Sequence, residues 1–317
     1  MTRLTIPPPA PVDGLPTRVE VYEVGPRDGL QNEATPVPVA VKHELVERLV
    51  DAGVRSIEVT SMVPPSWVPQ LADAEELLSR LSLPADVRQV VLTPNLAGLR
   101  RALDHGVPEV AVFASATETF SQRNLNRSID ESLAMFAPVV ETARREGVAV
   151  RGYVSMVFGD PWEGDVPVEQ VVSVARRLVD MGCTSLSLGD TIGVGSSGHV
   201  VRLIAALARS GIGPDGVGVH FHDTYGQALA NAVAALRCGV TTVDVSAGGL
   251  GGCPYAESAT GNLATEDLVW HLHGLGIATG IDLPRLAETS AWISAHLGRP
   301  TPSRAGLAIA SKQEHHG

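Results

Sequence analysis

The sequence predicts an α/β protein in which eight parallel strands close into a (β/α)8 (TIM) barrel, with an additional C-terminal helix. Strand-like and helix-like runs alternate along residues 19–280 with little interruption. Eight such βα units indicate a parallel sheet, and the number eight favours closure of that sheet into a barrel. No shift in composition marks a second domain, so we expect one barrel domain.

The predicted elements follow from short apolar, β-branched runs for strands and from longer runs of helical periodicity. The predicted strands are residues 19–24, 56–60, 87–92, 109–114, 149–156, 185–188, 217–222 and 242–245. The predicted helices are residues 39–52, 69–81, 96–105, 129–146, 168–181, 199–209, 227–238, 265–275 and the additional 283–297. These elements predict three parts of the chain: a Pro-rich lead-in (1–18), the barrel (19–280), and a C-terminal helix and tail packed on the barrel (281–317).

The composition is that of an ordinary globular chain and disfavours several classes of protein. The 317 residues are 44% hydrophobic and 19% charged, and the net charge of -11 without a basic stripe argues against a nucleic-acid partner. The only two lysines, Lys42 and Lys312, lie away from predicted strand ends, which disfavours a Schiff-base aldolase. No uninterrupted apolar run reaches the roughly 18 residues of a membrane span. Because the three cysteines form no secreted disulfide pattern, we expect a cytoplasmic protein.

The most informative stretch is residues 217–231, which read V-G-V-H-F-H-D-T-Y-G-Q-A-L-A-N. His220 and His222 are two apart on a predicted strand, so both imidazoles point to the same face. They precede a βα loop, where barrel enzymes place their catalytic residues. Two neutral imidazoles on one face form half of a metal site. Two core histidines are the alternative interpretation.

Other polar side chains occur at the predicted carboxyl ends of the strands, namely Glu23, Arg27, Asp28, Gln31, Glu58, Arg151, Asp190, Cys253 and Asn262. Glu58 stands in an apolar strand, where a carboxylate is costly unless paired, and Arg27 is its expected partner. Each residue also has a structural interpretation. Glu58 and Arg151 could form an ion pair, Asp190 could cap a helix, and Cys253 could be a small loop residue. Their common position at one edge favours a functional site.

One mixed set of these side chains predicts a metal site. Asp28, His220, His222 and Asn262 supply two nitrogens and two oxygens. With room for substrate oxygens, this set suits octahedral Mg²⁺ or Mn²⁺ better than a closed structural zinc. Cys253 then stays free on a Gly-rich loop that could close over a substrate. A thiol of this kind can donate a proton to a carbanion-like carbon.

At these residues the chain resembles the 3-hydroxy-3-methylglutaryl-CoA lyase family. Matching segments run in family order through residues 19–277 and include V-G-P-R-D-G-L-Q-N-E, L-T-P-N-L, V-R-G-Y-V-S, L-G-D-T-I-G-V-G, H-F-H-D-T-Y-G-Q-A-L-A-N and G-L-G-G-C-P-Y-A. The resemblance implies a (β/α)8 barrel, a divalent cation, an acyl-CoA substrate and a homodimer. It also implies retro-Claisen cleavage of this substrate to acetoacetate and acetyl-CoA, the chemistry of leucine degradation and ketone-body formation.

The residues that the resemblance assigns to the reaction fall into three groups. The metal ligands are Asp28, His220, His222 and Asn262. The catalytic and supporting residues are Arg27, Asp28, His220, Cys253, Glu58, Asp190 and Glu23. The substrate-binding residues are Arg27, Gln31, Asn95 and Arg151. Arg27 would stabilise the enolate, Cys253 would be the loop thiol, and either Asp28 or His220 would be the general base.

The chain departs from the family pattern at two places. Ala34 stands where many relatives carry Lys, and Gly298-Arg299-Pro300 replaces an Asn-Arg-Lys type segment that can contact the CoA nucleotide. These departures leave CoA affinity and acyl-chain identity open. Two other functions are alternatives to the lyase: a condensing acyltransferase of the isopropylmalate or citramalate synthase type, and a non-catalytic acyl-CoA-binding barrel. The G-G-C-P-Y-A loop and the complete ligand set favour the lyase.

Overall fold

A computed structural model describes residues 7–252 and 261–314 and contains the predicted closed barrel. Its eight parallel strands pair in chain order, and the first pairs with the last. The strands are β1 Glu20–Glu23, β2 Ser56–Ser61, β3 Arg88–Leu92, β4 Glu109–Ser115, β5 Ala149–Ser155, β6 Ser185–Asp190, β7 Val217–Phe221 and β8 Thr242–Val245. The predicted fold class is confirmed.

Helices surround the barrel and continue past it. They are α1 Val39–Asp51, α2 Ala74–Arg80, α3 Leu96–Asp104, α4 Glu118–Leu125, α5 Ile129–Arg145, α6 Val168–Met181, α7 Ser197–Arg209, α8 Ala228–Arg237, α9 Thr265–Gly274, α10 Leu283–His296 and α11 Arg304–Glu314. In the described part of the chain, none is long and apolar enough to cross a membrane.

Three elements differ from the predictions. The helix predicted over residues 69–81 is a 3-10 turn at Pro69–Leu71 followed by α2, because Asp73 interrupts the run with a non-helical backbone. Helix α4 was not predicted, since its sequence E-T-F-S-Q-R-N-L is mostly polar. Helix α11 adds a second C-terminal helix to the single one that was predicted.

Side-chain caps fix several helix starts where the sequence changes from loop to apolar periodicity. Ser128 and Glu131 form a capping box at the start of α5, with hydrogen bonds of 3.1 and 2.9 Å in the two directions. Asn95 accepts a hydrogen bond of 2.9 Å from the Gly98 N–H and caps α3. Such a cap satisfies a backbone N–H that the helix leaves without a partner.

The barrel interior contains a buried ion pair between Arg151 of β5 and Asp244 of β8. The Arg151 Nη2 donates to Asp244 Oδ1 at 2.5 Å, and both side chains are almost fully buried. Gly218 makes room for Arg151, because a Cβ there would lie 2.7 Å from Nη2. Arg151 is level with Ser185, the first residue of β6, so it lies toward the amino ends of the strands. The expectation that Arg151 lies at the carboxyl edge is corrected.

The C-terminal segment packs against the loop that follows β8. Thr301 Oγ1 donates to the Gly248 carbonyl at 3.2 Å. Glu266 of α9 accepts hydrogen bonds from the Gly248 N–H and from Ser290 of α10. Asp267 accepts from the Ala305 N–H at 2.7 Å at the start of α11. The two terminal helices therefore support the base of the loop that leads to residue 253.

The buried pair predicts a large loss of stability in Arg151→Met. Methionine cannot neutralise Asp244, and breaking a buried ion pair costs about 3–5 kcal/mol in the free energy of unfolding. Denaturant unfolding monitored by circular dichroism measures this loss. The matched control is Arg177→Met, because Arg177 pairs with the exposed Asp130 and the expected change is below about 1 kcal/mol. Equal losses in the two variants would show that the Arg151 pair is not structural.

Candidate active site

A tight turn directly after β1 places Arg27 and Asp28 at the carboxyl end of the barrel. The N–H groups of Arg27, Asp28 and Gly29 all bond to the Val24 carbonyl, at 3.1, 2.8 and 3.1 Å. The turn spans Gly25–Gly29 with π-helical hydrogen bonding, a geometry that recurs at functional sites. Consecutive side chains of this turn therefore reach the centre of the barrel mouth from one strand end.

Glu23 holds this turn against the loop after β8. Its carboxylate accepts hydrogen bonds from the Gly25 N–H at 2.8 Å, the Ala247 N–H at 2.9 Å and Thr265 Oγ1 at 2.7 Å. Burial raises the pKa of Glu23 to about 7, although these hydrogen bonds oppose the rise. Glu23 thus acts on the site through the backbone that it positions.

Arg27 is shared between two carboxylates. Its Nε donates to Glu58 Oε1, and its Nη1 donates to Asp28 Oδ1 at 2.7 Å. Tyr153 donates to the second oxygen of Glu58 at 2.8 Å. Burial alone would lower the pKa of Arg27, but Glu58 and Asp28 raise it above its ordinary value. The guanidinium therefore keeps its charge in a buried position.

Asp28, His220 and His222 converge on one point. One ligand atom from each lies within 4.8 Å of the others, and His220 Nε2 is 3.9 Å from Asp28 Oδ2. On its other side, His220 Nδ1 is 3.4 Å from Asp244 Oδ2. Burial alone would raise the pKa of Asp28, but Arg27 and the histidines hold it below its ordinary value. A deprotonated carboxylate therefore faces two imidazoles.

Asn262 completes the donor set. Its Nδ2 donates to Asp28 Oδ2 at 2.8 Å and to the Leu250 carbonyl at 3.0 Å. Its Oδ1 is buried and has no hydrogen-bond partner among the described residues. A buried acceptor without a donor is costly, and a cation would satisfy it. One amide oxygen, one carboxylate and two imidazoles fit a divalent cation.

The remaining predicted residues lie in different places. Gln31 lines the cavity beside Arg27. Asp190 accepts from the Val194 and Gly195 N–H groups at 3.0 and 2.8 Å and shapes the loop after β6. Asn95, expected to bind substrate, has its side-chain oxygen in the α3 cap. Cys253 lies outside the described residues.

Two residues of the site were not predicted from the sequence, Tyr153 and Asp244. Tyr153 orients Glu58, and Asp244 lies against the ring nitrogen of His220 that faces away from Asp28. Tyr153 stands two residues after Arg151, so strand alternation could have placed it on the inner face. Asp244 is a carboxylate in the apolar run T-V-D-V, the same signal that singled out Glu58.

Arg27, Asp28, Tyr153, His220 and His222 line a cavity of about 660 Å³. The cavity starts at Arg27, Asp28 and the two histidines and extends past Phe113 to α4 and the loop after β2. The inner end of the cavity is charged and its middle is apolar. Such a cavity suits a long ligand that is polar at one end.

Comparisons with known proteins identify the family of the chain. A family model described as HMGL-like matches residues 18–293. A 3-hydroxy-3-isohexenylglutaryl-CoA/hydroxymethylglutaryl-CoA lyase of Pseudomonas aeruginosa is 52% identical, with 94% of this chain and 99% of that protein covered. The mitochondrial hydroxymethylglutaryl-CoA lyase of Arabidopsis thaliana is 51% identical over 93% of this chain, which spans 63% of the length of that relative.

Solved structures lead to the same family. The crystal structure of hydroxymethylglutaryl-CoA lyase from Pseudomonas aeruginosa has a TM-score of 0.92 at 52% identity and covers 94% of this chain and 99% of its own. An HMG-CoA lyase from Acinetobacter baumannii in complex with coenzyme A and 3-methylmalate has a TM-score of 0.88 at 37% identity, with 92% and 95% covered. These matches define the class of the protein, a carbon–carbon lyase of a divalent-metal-dependent family. The chain belongs to the hydroxymethylglutaryl-CoA lyase family.

The contact between His220 and Asp244 predicts that Asp244→Asn weakens metal binding. Losing the carboxylate that orients a ligating histidine typically costs about 10- to 100-fold in metal affinity. Titration with Mn²⁺, followed by electron paramagnetic resonance of the free ion, measures the dissociation constant. The matched control is Asp130→Asn on the exposed face of α5, which should leave the affinity unchanged. Unchanged affinity in folded Asp244→Asn would contradict this role.

Proposed function

We propose that this chain cleaves 3-hydroxy-3-methylglutaryl-CoA to acetoacetate and acetyl-CoA with the help of Mg²⁺ or Mn²⁺. The observation that carries the proposal is the convergence of Arg27, Asp28 and the two histidines in one cavity, with Asn262 hydrogen-bonded to Asp28 beside them. This arrangement provides both a cation site and a fixed positive charge for an acyl-CoA. The relatives at about half identity are named for the same reaction.

Asp28, His220, His222 and Asn262 would hold the cation. When bound, the cation would coordinate substrate oxygens and lower the pKa of the hydroxyl group on C3. The choice between Mg²⁺ and Mn²⁺ stays open, because oxygen-rich sites accept both. Asp244 and Tyr153 act on the site indirectly, through His220 and Glu58.

Proton removal from the C3 hydroxyl starts the reaction. Asp28 or His220 accepts this proton, because both lie at the inner end of the cavity. The alkoxide on C3 then becomes the carbonyl group of acetoacetate as the bond between C2 and C3 breaks. The electron pair of that bond moves onto the thioester, which becomes an enolate. Arg27 offsets that negative charge, since Glu58 and Asp28 hold its guanidinium in place.

Cys253 would supply the proton that converts the enolate carbon into the methyl group of acetyl-CoA. The residue lies outside the described part of the chain, and this role comes from the family motif. Gly252, the residue before it, lines the cavity, and its carbonyl accepts a hydrogen bond of 3.0 Å from Asn32. These contacts place Gly252 at the cavity.

A cytoplasmic homodimer is part of the same proposal. Relatives at similar identity include mitochondrial and cytoplasmic proteins, so the family alone does not decide the location. Light scattering of the purified protein tests the dimer, and fractionation of the source cells tests the location. Neither outcome affects the assignment of the reaction, because the inner end of the cavity is built from one chain.

The proposal predicts release of acetyl-CoA and acetoacetate from the purified protein in the presence of Mg²⁺ or Mn²⁺, and loss of turnover with chelator. His220→Ala is expected to lower kcat by at least about 100-fold, the low end for one acid–base group. His271→Ala on α9 is the matched control and keeps the rate. Folded protein that binds metal but forms neither product would refute the lyase assignment and direct attention to the condensing reaction.

Tyr153→Phe predicts a smaller effect on the same assay. The change removes a hydrogen bond to the buried Glu58 carboxylate, which holds Arg27 in its orientation. We expect kcat/KM to fall by about 10- to 100-fold. Tyr22→Phe is the control, because the buried Tyr22 hydroxyl has no hydrogen-bond partner among the described residues. Equal activity in Tyr153→Phe and wild type would show that Arg27 holds Glu58 in place without help.

A further inference from the structure

The outer end of the cavity carries an arginine that the reaction does not use. The lining residues there are Arg123, Asn124 and Asn126 at the end of α4, and Trp67 in the loop after β2. This end belongs to the same cavity as the metal site. A ligand whose reacting group lies at the inner end can therefore extend to Arg123.

Among the described residues, Arg27 and Arg123 are the only lysine or arginine side chains that line the cavity. The hydrogen bonds of Arg27 go to Glu58 and Asp28. Arg123 makes no ion pair with any described carboxylate, and its guanidinium lies 4.3 Å from the ring centre of Trp162. A stacked guanidinium keeps its N–H groups in the ring plane available for an anion.

The position of Arg123 is supported by buried hydrogen bonds. Asp160, which is 4% exposed, accepts from Thr117 Oγ1 at 2.6 Å and from the Trp162 N–H at 2.7 Å. Thr117 directly precedes α4, so one carboxylate fixes both the start of this helix and the backbone that carries the indole. Arg123 and Trp162 are therefore held together by structure on both sides of the contact.

The phosphates of coenzyme A need a cation at this end. They lie at the far end of the pantetheine arm from the thioester, so they reach the cavity mouth when the acyl group is at the metal site. Neither Ala34 in the loop after β1 nor Gly298 and Pro300 beside Arg299 carries a charge. Arg299 is engaged by Glu33. The overall charge of -11 makes a local cation more necessary for an anionic ligand.

We propose that Arg123, stacked on Trp162, binds a phosphate group of the acyl-CoA substrate. The proposal rests on the function proposed above and adds a residue that recognises the nucleotide end. Arginine matches phosphate oxygens with paired hydrogen bonds, which gives both affinity and orientation. Arg123 thereby favours CoA thioesters over thioesters that lack the nucleotide.

The test compares two substrates that share the acyl group. 3-Hydroxy-3-methylglutaryl-CoA carries the phosphates, and the corresponding pantetheine thioester does not. Arg123→Ala is expected to raise KM for the CoA thioester by about 10- to 100-fold, the effect of one hydrogen bond to a charged group. Its kcat stays within about twofold, and both constants for the pantetheine thioester stay at wild-type values. Arg123→Lys keeps the charge without the paired hydrogen-bond geometry, so its KM for the CoA thioester is expected to lie between those of wild type and Arg123→Ala.

Two further arginines serve as comparisons. Arg177→Ala on the exposed face of α6 leaves both substrates unaffected. Arg299→Ala tests the competing location, since Arg299 belongs to the C-terminal segment. The proposal is overturned if Arg123→Ala impairs both thioesters equally, because Arg123 would then act through the fold. It is also overturned if Arg299→Ala, and not Arg123→Ala, removes the preference for the CoA thioester.

Direct binding separates this proposal from the proposed reaction. Calorimetry with free coenzyme A is expected to show weaker binding to Arg123→Ala than to wild type, whether or not the acyl-CoA is cleaved. Cleavage without this difference in coenzyme A binding refutes the role of Arg123 alone. Weaker binding of coenzyme A to Arg123→Ala than to wild type, without cleavage of the acyl-CoA by either protein, refutes the proposed reaction alone. The use of 3′-dephospho-CoA then identifies which phosphate Arg123 contacts.

Discussion

The site depends on the sharing of one buried guanidinium between two carboxylates, the buried Glu58 and the partly buried Asp28. Glu58 comes from the rigid strand β2, and it fixes Arg27, which in turn binds one oxygen of Asp28. The second oxygen of Asp28 is then directed toward His220 and Asn262. A buried charge is tolerated only when it is paired. The pairing therefore ties the side chains of the turn after β1 to the geometry of a barrel strand.

The sequence predicted the barrel and most of its inner site because both leave local signals. Alternating βα units predict the topology, and polar residues at strand ends predict the edge. A charge in an apolar strand indicates a buried partner, but it does not say which end of the barrel the side chain occupies, so Arg151 was misplaced. An Asn before a helix is equally a cap, which is the role of Asn95. Asp244 gave the same local signal as Glu58, a carboxylate in an apolar strand, but the sequence did not indicate that Arg151, Ser187 and His220 surround it.

The part outside the barrel also contributes to the site. Glu266 accepts the Gly248 N–H, and burial raises the pKa of its carboxyl group to about 8. Glu23 accepts a hydrogen bond from the neighbouring Ala247 N–H. Arg299 joins the C-terminal segment to Glu33 in the loop after β1. The loops after β1 and β8 and the terminal helices thus share anchoring hydrogen bonds.

The distribution of charge explains why a cation and an arginine serve different ends of the cavity. At the inner end, Arg27 carries one positive charge beside two negative ones, Glu58 and Asp28, so the protein groups alone disfavour an anionic acyl group. Asp28, His220, His222 and Asn262 would hold a divalent cation there, and its charge would reverse that sign and be available to substrate oxygens. At the outer end, Arg123 has no described carboxylate to neutralise it, so a phosphate needs no metal there. In the proposed function, recognition of the acyl group would therefore be coupled to the cation, whereas recognition of the nucleotide would depend on the protein alone.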